Sequence, residues 1–243
     1  MSEIAVTREG RGPELLLVHG GASPRVTWHA LRPLAAHWTL VLVHRRAYPP
    51  SPPARHDFER DALDLAPLLQ ARPHVLAHSY GVLGALIAAT RDAHNVRSLT
   101  LIEPPLPQLA PGDPDVEEME RAANAVLTLG LDADPAALRA FLALAGAPDV
   151  GEGELSAKLQ HSIRRAHHAR LPGEARPQLR TLRDAQTPAL VASGAHSRAL
   201  ERICDALARE LHGERLIVTG AGHFVQRTSR FAECLQRHLA RAE

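Results

Sequence analysis

Two residues stand where acyl-transfer chemistry could be done. Ser79 lies in A-H-S-Y-G (77–81), a short polar gap between the apolar runs HVLA and VLGALIAA. A strand that turns abruptly into a helix can hold a serine at the bend with its hydroxyl above the sheet. Such a turn needs small residues two before and two after the serine. Here these are Ala77 and Gly81; the preferred pattern is G-x-S-x-G, so Ala77 departs from it by one methyl group. The same five residues also fit a serine that merely caps a helix. His223, in GAGHF, follows a strand-like run near the end of the chain. An imidazole with a pKa near 6.5 could take the Ser79 proton and return it to a leaving group. His223 could equally be an exposed loop residue, since the chain has 15 histidines. Upstream, LLLVHGG (15–21) ends an apolar run in two glycines, where backbone N–H groups could hold an oxyanion or simply form a turn.

The elements around these residues alternate between strand-like and helix-like. Continuous apolar runs at 15–19, 39–43, 74–77, 98–102, 189–193 and 215–219 read as buried parallel strands. Helical periodicity fills 27–38 (around Pro33), 57–72, 80–92, 197–213 (closed by Gly213) and about 224–240. Strands alternating with helices imply βαβ units and a mostly parallel sheet, hence an α/β fold. From Pro104 to Asp184 no strand-like run occurs. Helical stretches at 115–130, 134–146 and 154–171 form a lobe there, and Asp134-Pro135 is a good helix start. The expected organisation is a core of 1–104 and 186–243 with a helical insertion at 105–185.

Composition excludes several classes. With 243 residues, a net charge of +1 and 45% hydrophobic residues, the chain fits one large globular domain. It has no charge bias toward nucleic acid or an anionic membrane. Cys204 and Cys234 lie in helix-like apolar contexts and read as buried or half-buried thiols. The first residues lack the basic start and apolar stretch of a signal peptide, so a cytoplasmic, reducing location is the default. No cofactor is expected: G-x-G-x-x-G and a phosphate-binding Walker loop are both missing. No metal is expected either, since His161, His167 and His168 lack the i, i+4 spacing of a helical metal pair.

Taken in order, HGG, Trp28, the serine turn at 77–81, the helical lobe and GAGH resemble the α/β-hydrolase superfamily over nearly the whole chain. RRAYPPS (45–51) is similar to the superfamily's D-x-R-G-x-G-x-S loop, with His44 replacing the aspartate and Ala47 the glycine. The resemblance implies an α/β-hydrolase fold with an inserted cap. It makes Ser79 the nucleophile and His223 the base, gives the oxyanion to the backbone N–H groups of Gly21 and Tyr80, and assigns His78 a packing and hydrogen-bonding role. The superfamily's usual acid follows the ALVAS strand as G-x-x-D, but this chain reads Gly194-Ala195-His196-Ser197. Some members, certain haloalkane dehalogenases among them, carry the acid one strand earlier. That position is Glu103, at the end of SLTLI, and it keeps the order nucleophile, acid, base. Asp184 and Asp205 are weaker candidates, and a Ser–His dyad is a further option.

The expected function is therefore serine hydrolysis of an ester, thioester, lactone or related carbonyl in a small, partly apolar substrate. Two alternatives remain open at this level. One is a non-catalytic binding protein on the same fold, motivated by Ser197 in place of aspartate. The other is a carbon–carbon bond hydrolase or lyase built on the same triad.

Overall fold

The structure is a computed structural model describing residues 4–147, 151 and 153–242. Seven strands make one sheet in the order β1-β3-β2-β4-β5-β6-β7. They are β1 (Ala5–Glu9), β2 (Glu14–Val18), β3 (Thr39–His44), β4 (His74–His78), β5 (Ser98–Ile102), β6 (Ala189–Ser193) and β7 (Glu214–Ile217). All neighbours pair parallel except β1, which runs antiparallel to β3 at the edge.

The central strands are continuously apolar because both faces of the sheet are covered. Along β2 and β4, Leu16, Val18, Val75 and Ala77 enter one apolar cluster. Leu15, Leu17 and Leu76 enter the other. This is the period of two expected for a strand. Helices α2 (Phe58–Leu69), α3 (Gly81–Arg91) and α8 (Arg198–Leu211) cover the first face, and α1 (Pro24–Trp28) and α9 (Ser229–Arg241) the second. Between β5 and β6 the chain runs through α4 (Pro114–Leu129), α5 (Pro135–Leu144), α6 (Ala157–Ala166) and α7 (Leu179–Asp184). Part of this segment has its own small core of Val126, Ala133, Leu138, Leu142 and Ile163.

Several local expectations need correction. The stretch 27–38 is not one α-helix: α1 passes into a 3-10 segment, His29–Ala36, that accommodates Pro33, which has no N–H to donate. Helix α6 is shorter than 154–171. Ser156 caps its start, and His167 leaves the helical region before a left-handed His168. Helix α8 ends on left-handed His212 rather than on Gly213. Gly213 instead allows close packing, since a Cβ there would lie 2.8 Å from the Ala189 carbonyl oxygen. The stretch from Phe224 opens as a short 3-10 turn, Val225–Arg227, before α9. Strand β1 and helix α7 were not expected.

Candidate functional site

Ligands of an open α/β sheet bind beyond the carboxyl ends of its strands. Ser79 directly follows β4, Glu103 follows β5, and Gly194 follows β6. Ser79 takes a left-handed φ of 53°. Its N–H donates to the Ile102 carbonyl at 2.8 Å, and its carbonyl accepts from Val82 N–H at 2.9 Å. Strand thus becomes helix within one residue. Tyr80, not Ser79, is the residue flanking the first turn of α3, and no side chain caps that turn. The tightness of the turn explains Gly81: a Cβ there would lie 2.2 Å from the His19 carbonyl oxygen. Ala77, where the preferred pattern has glycine, has its methyl buried in the core.

The His19-Gly20-Gly21 loop lies against this turn. A Cβ on Gly20 would come within 2.7 Å of Ser79 Cβ. Three side chains hold the loop's carbonyls. Arg45 donates to Gly20 O at 3.0 Å, Tyr48 O–H donates to Gly21 O at 2.7 Å, and the His19 ring contacts Gly20 O at 3.0 Å. Carbonyls drawn this way leave the loop's N–H groups to face elsewhere. Among the described turn and loop hydrogen bonds, neither Gly21 N–H nor Tyr80 N–H has a backbone acceptor. Arg45 is buried and paired with buried Asp61 at 2.7 Å. Burial and the Arg45 charge hold the His19 pKa well below 6.5, so its ring is neutral. Ala47, where the related pattern has glycine, adopts φ 69°. Arg45, Tyr48 and Asp61 support the site without having been singled out from sequence. The RRAYPPS resemblance was the available signal for the first two; nothing in the local pattern marked Asp61.

Glu103 is 1% exposed and also left-handed, with φ 53°. Its Oε2 lies 3.3 Å from His223 Nδ1. Its Oε1 accepts from Gly194 N–H at 2.7 Å. A second imidazole, His196, places Nδ1 3.5 Å from the same Oε2. Burial alone would raise the Glu103 pKa, but hydrogen bonds from His196 and His223 and the charges of those rings hold it down at about 2. The carboxylate is therefore ionised at neutral pH. Ser197, where an aspartate was expected, caps α8 by accepting from Leu200 N–H at 3.3 Å. The loop without the aspartate thus supplies a donor and an imidazole to the carboxylate that lies one strand away. Asp205 is engaged by Arg215, and Asp184 by Arg180 and Arg183.

His78 fixes the backbone of the His223 loop. Its Nε2 lies 2.9 Å from the His223 carbonyl oxygen, an acceptor, so Nε2 carries the proton. Burial and the neighbouring His223 charge lower the His78 pKa to about 3, which keeps the ring neutral. Gly146, just past α5, abuts His223: a Cβ there would lie 2.6 Å from His223 Cβ. Among the described hydrogen bonds none joins Ser79 Oγ to the His223 ring. A cavity of about 350 Å³ lies between α4, α5 and the start of α8, with His196 and Leu144 in its wall and Ser79 outside it. Both cysteines are free, Cys204 buried and Cys234 half-buried. No helix among the described residues is long and apolar enough to cross a membrane.

The sequence profile described as the Alpha/beta hydrolase family matches residues 15–237. The chain belongs to the alpha/beta hydrolase family. No curated protein matches it by sequence. Among solved structures, an alpha/beta hydrolase fold protein from Burkholderia ambifaria is 26% identical, with a TM-score of 0.63 over 96% of this chain and 93% of that one. A bacterial membrane phospholipase A, described as a virulence factor, is 24% identical, with a TM-score of 0.71 over 98% and 83%. A thermophilic esterase from Thermogutta terrifontis is 20% identical, with a TM-score of 0.66 over 98% and 93%. These likenesses agree with the sheet order and with the place of the helices in the alpha/beta hydrolase fold.

Two predictions follow from how this hydrolase fold packs its loops. A Cβ on Gly194 would stand 1.9 Å from the Gly222 carbonyl oxygen, against backbone that cannot rotate away. Gly194→Ala is expected to lose about 1–3 kcal/mol of stability, as overpacking does. Because Gly194 N–H holds Glu103, catalytic rate should fall as well; thermal melting and steady-state kinetics check both. The second prediction concerns acid. Burial, then the charges of Arg45 and Arg165, lower the His56 pKa to about 3. A buried histidine that stays neutral stabilises the fold above pH 6.5, and that stability is lost progressively as pH falls from 6.5 toward 3. The slope approaches about 1.4 kcal/mol per pH unit for each such group. His56 stacks on Tyr48 and its Nε2 has no partner, so phenylalanine fits its place. Chemical unfolding measured across this range should be less acid-sensitive in His56→Phe than in the parent.

Proposed function

We propose that the protein is a serine hydrolase cleaving an ester, thioester, lactone or related carbonyl through an acyl-enzyme. The observation that carries this reading is the buried, ionised Glu103 carboxylate 3.3 Å from His223 Nδ1. It counts against the non-catalytic reading motivated by the serine at 197, because a carboxylate reaches the imidazole from the neighbouring strand. Glu103 is the acid in this reading. It selects the His223 tautomer with the proton on Nδ1, which leaves Nε2 as base. Ser79 Oγ loses its proton to Nε2 and attacks the carbonyl carbon. The oxyanion is held by the N–H groups of Gly21 and Tyr80. Collapse of the intermediate expels the leaving group, protonated by His223, and water then releases the acid by the same route. Residues 105–185 act as a cap, with the end of α5 over His223, and their Leu and Ala content suits a partly apolar substrate.

A series of p-nitrophenyl esters of increasing acyl length tests the proposal. A burst of p-nitrophenol equal to the enzyme concentration, followed by slower turnover, is expected for at least one length. Lack of any turnover across esters, thioesters and lactones would remove the reading.

A further inference from the structure

We propose that Glu103, His196 and His223 form a binding site for a divalent transition-metal ion, Zn²⁺ foremost, and that filling it switches hydrolysis off. One donor atom from each of the three residues lies within 4.8 Å of the other two. The two nitrogens stand 3.3 and 3.5 Å from the carboxylate oxygen. Ligands about 2.0–2.1 Å from a tetrahedral zinc stand roughly 3.3–3.5 Å apart, which the two nitrogen–oxygen distances match. Two imidazoles and one carboxylate suit Zn²⁺ and its neighbours rather than Mg²⁺ or Ca²⁺.

The case for a cation rests on His196. The hydrolytic reaction gives this residue no task, yet its ring is mostly covered, with the side chain 20% exposed. Its Nε2 lies 3.2 Å from the Leu144 carbonyl oxygen. A carbonyl only accepts, so Nε2 carries a proton, and against burial the hydrogen bond and charge of Glu103 raise the His196 pKa, favouring a second proton on Nδ1. That proton lies between Nδ1 and the Glu103 oxygen. A metal ion bound there takes the proton's place between the same two atoms. The supporting shell is that of a metal site: a ligating histidine usually donates its other N–H to a backbone carbonyl, and a ligating carboxylate is itself hydrogen-bonded. Here Leu144 O and Gly194 N–H fill those places. His196 also lines a cavity together with Asp115 and Glu118.

Occupancy has a chemical consequence. A metal on His223 Nδ1 takes that lone pair, so the single proton of the neutral ring moves through solvent to Nε2. No lone pair then faces Ser79, and no base remains. This inhibitory arm rests on the serine-hydrolase reading; the binding arm does not.

The test uses the full chain with Co²⁺ as optical probe, then Zn²⁺. Wild-type protein is expected to bind one Co²⁺ with d–d absorption bands that one equivalent of Zn²⁺ removes. His196→Gln should lose these bands, whereas His94→Gln, which removes an exposed histidine elsewhere, should retain them. His196→Asp, which restores a ligand, should regain binding with a shifted spectrum, which separates ligand loss from damage to the fold. Zn²⁺ should inhibit ester hydrolysis reversibly to EDTA. Its midpoint, relative to each variant's own rate, should rise at least about tenfold in His196→Gln. Co²⁺ bands that are missing in wild type or unchanged in His196→Gln overturn the site. Metal bands without any hydrolysis would leave the site standing and count against the serine-hydrolase reading alone.

Discussion

Ser79→Ala is expected to lower kcat on the proposed ester substrate by on the order of 10⁶, the loss seen when the nucleophile of a serine triad is removed. The size follows from what alanine deletes. In the proposed mechanism the left-handed turn at φ 53° carries the hydroxyl that attacks the carbonyl. The methyl group leaves that turn and its hydrogen bond to Ile102 O untouched. The fold should melt as the parent does, and substrate should still bind, so the loss should fall on kcat with KM little changed. An unchanged rate would mean that the elbow is only a helix entry.

Glu103→Gln should cost about 10⁴ in kcat, as the acid-to-amide change does in serine triads. The local hydrogen bonds explain why so small a change acts so strongly. Gly194 N–H needs an acceptor and finds it at Oε1, 2.7 Å away. In the glutamine variant the amide oxygen takes that place, which turns the NH₂ group toward His223 Nδ1. Nδ1 must then accept, the ring proton sits on Nε2, and the base faces Ser79 in the wrong tautomer. The variant should fold normally and retain some labelling by reactive phosphonates. Near-normal ester hydrolysis would mean that Glu103 is not the acid.

The buried strands were readable because both faces of the sheet are covered, so each strand is a plain apolar run. Strand β1 escaped because it pairs only with β3 at the edge and its AVTRE sequence is half exposed. Helix α7 escaped because its six residues, Leu179–Asp184, give too few turns for a periodic pattern. Around the site, the turn at Ser79 was legible since a sharp bend demands small residues at fixed offsets. The convergence of Glu103, His196 and Gly194 was not, because it depends on two loops after adjacent parallel strands, 91 residues apart for Glu103 and Gly194. The Arg45–Asp61 pair was hidden for a like reason: Asp61 sits on α2 among ordinary helical residues and becomes special only when the helix packs against the loop after β3.

The most direct test is active-site labelling with a fluorophosphonate, followed by mass spectrometry of the digested protein. One phosphonyl group per chain is expected, on the peptide containing Ser79, and no label in Ser79→Ala. Folded protein that takes up no label, or a Ser79→Ala variant that labels as well as the parent, would contradict it.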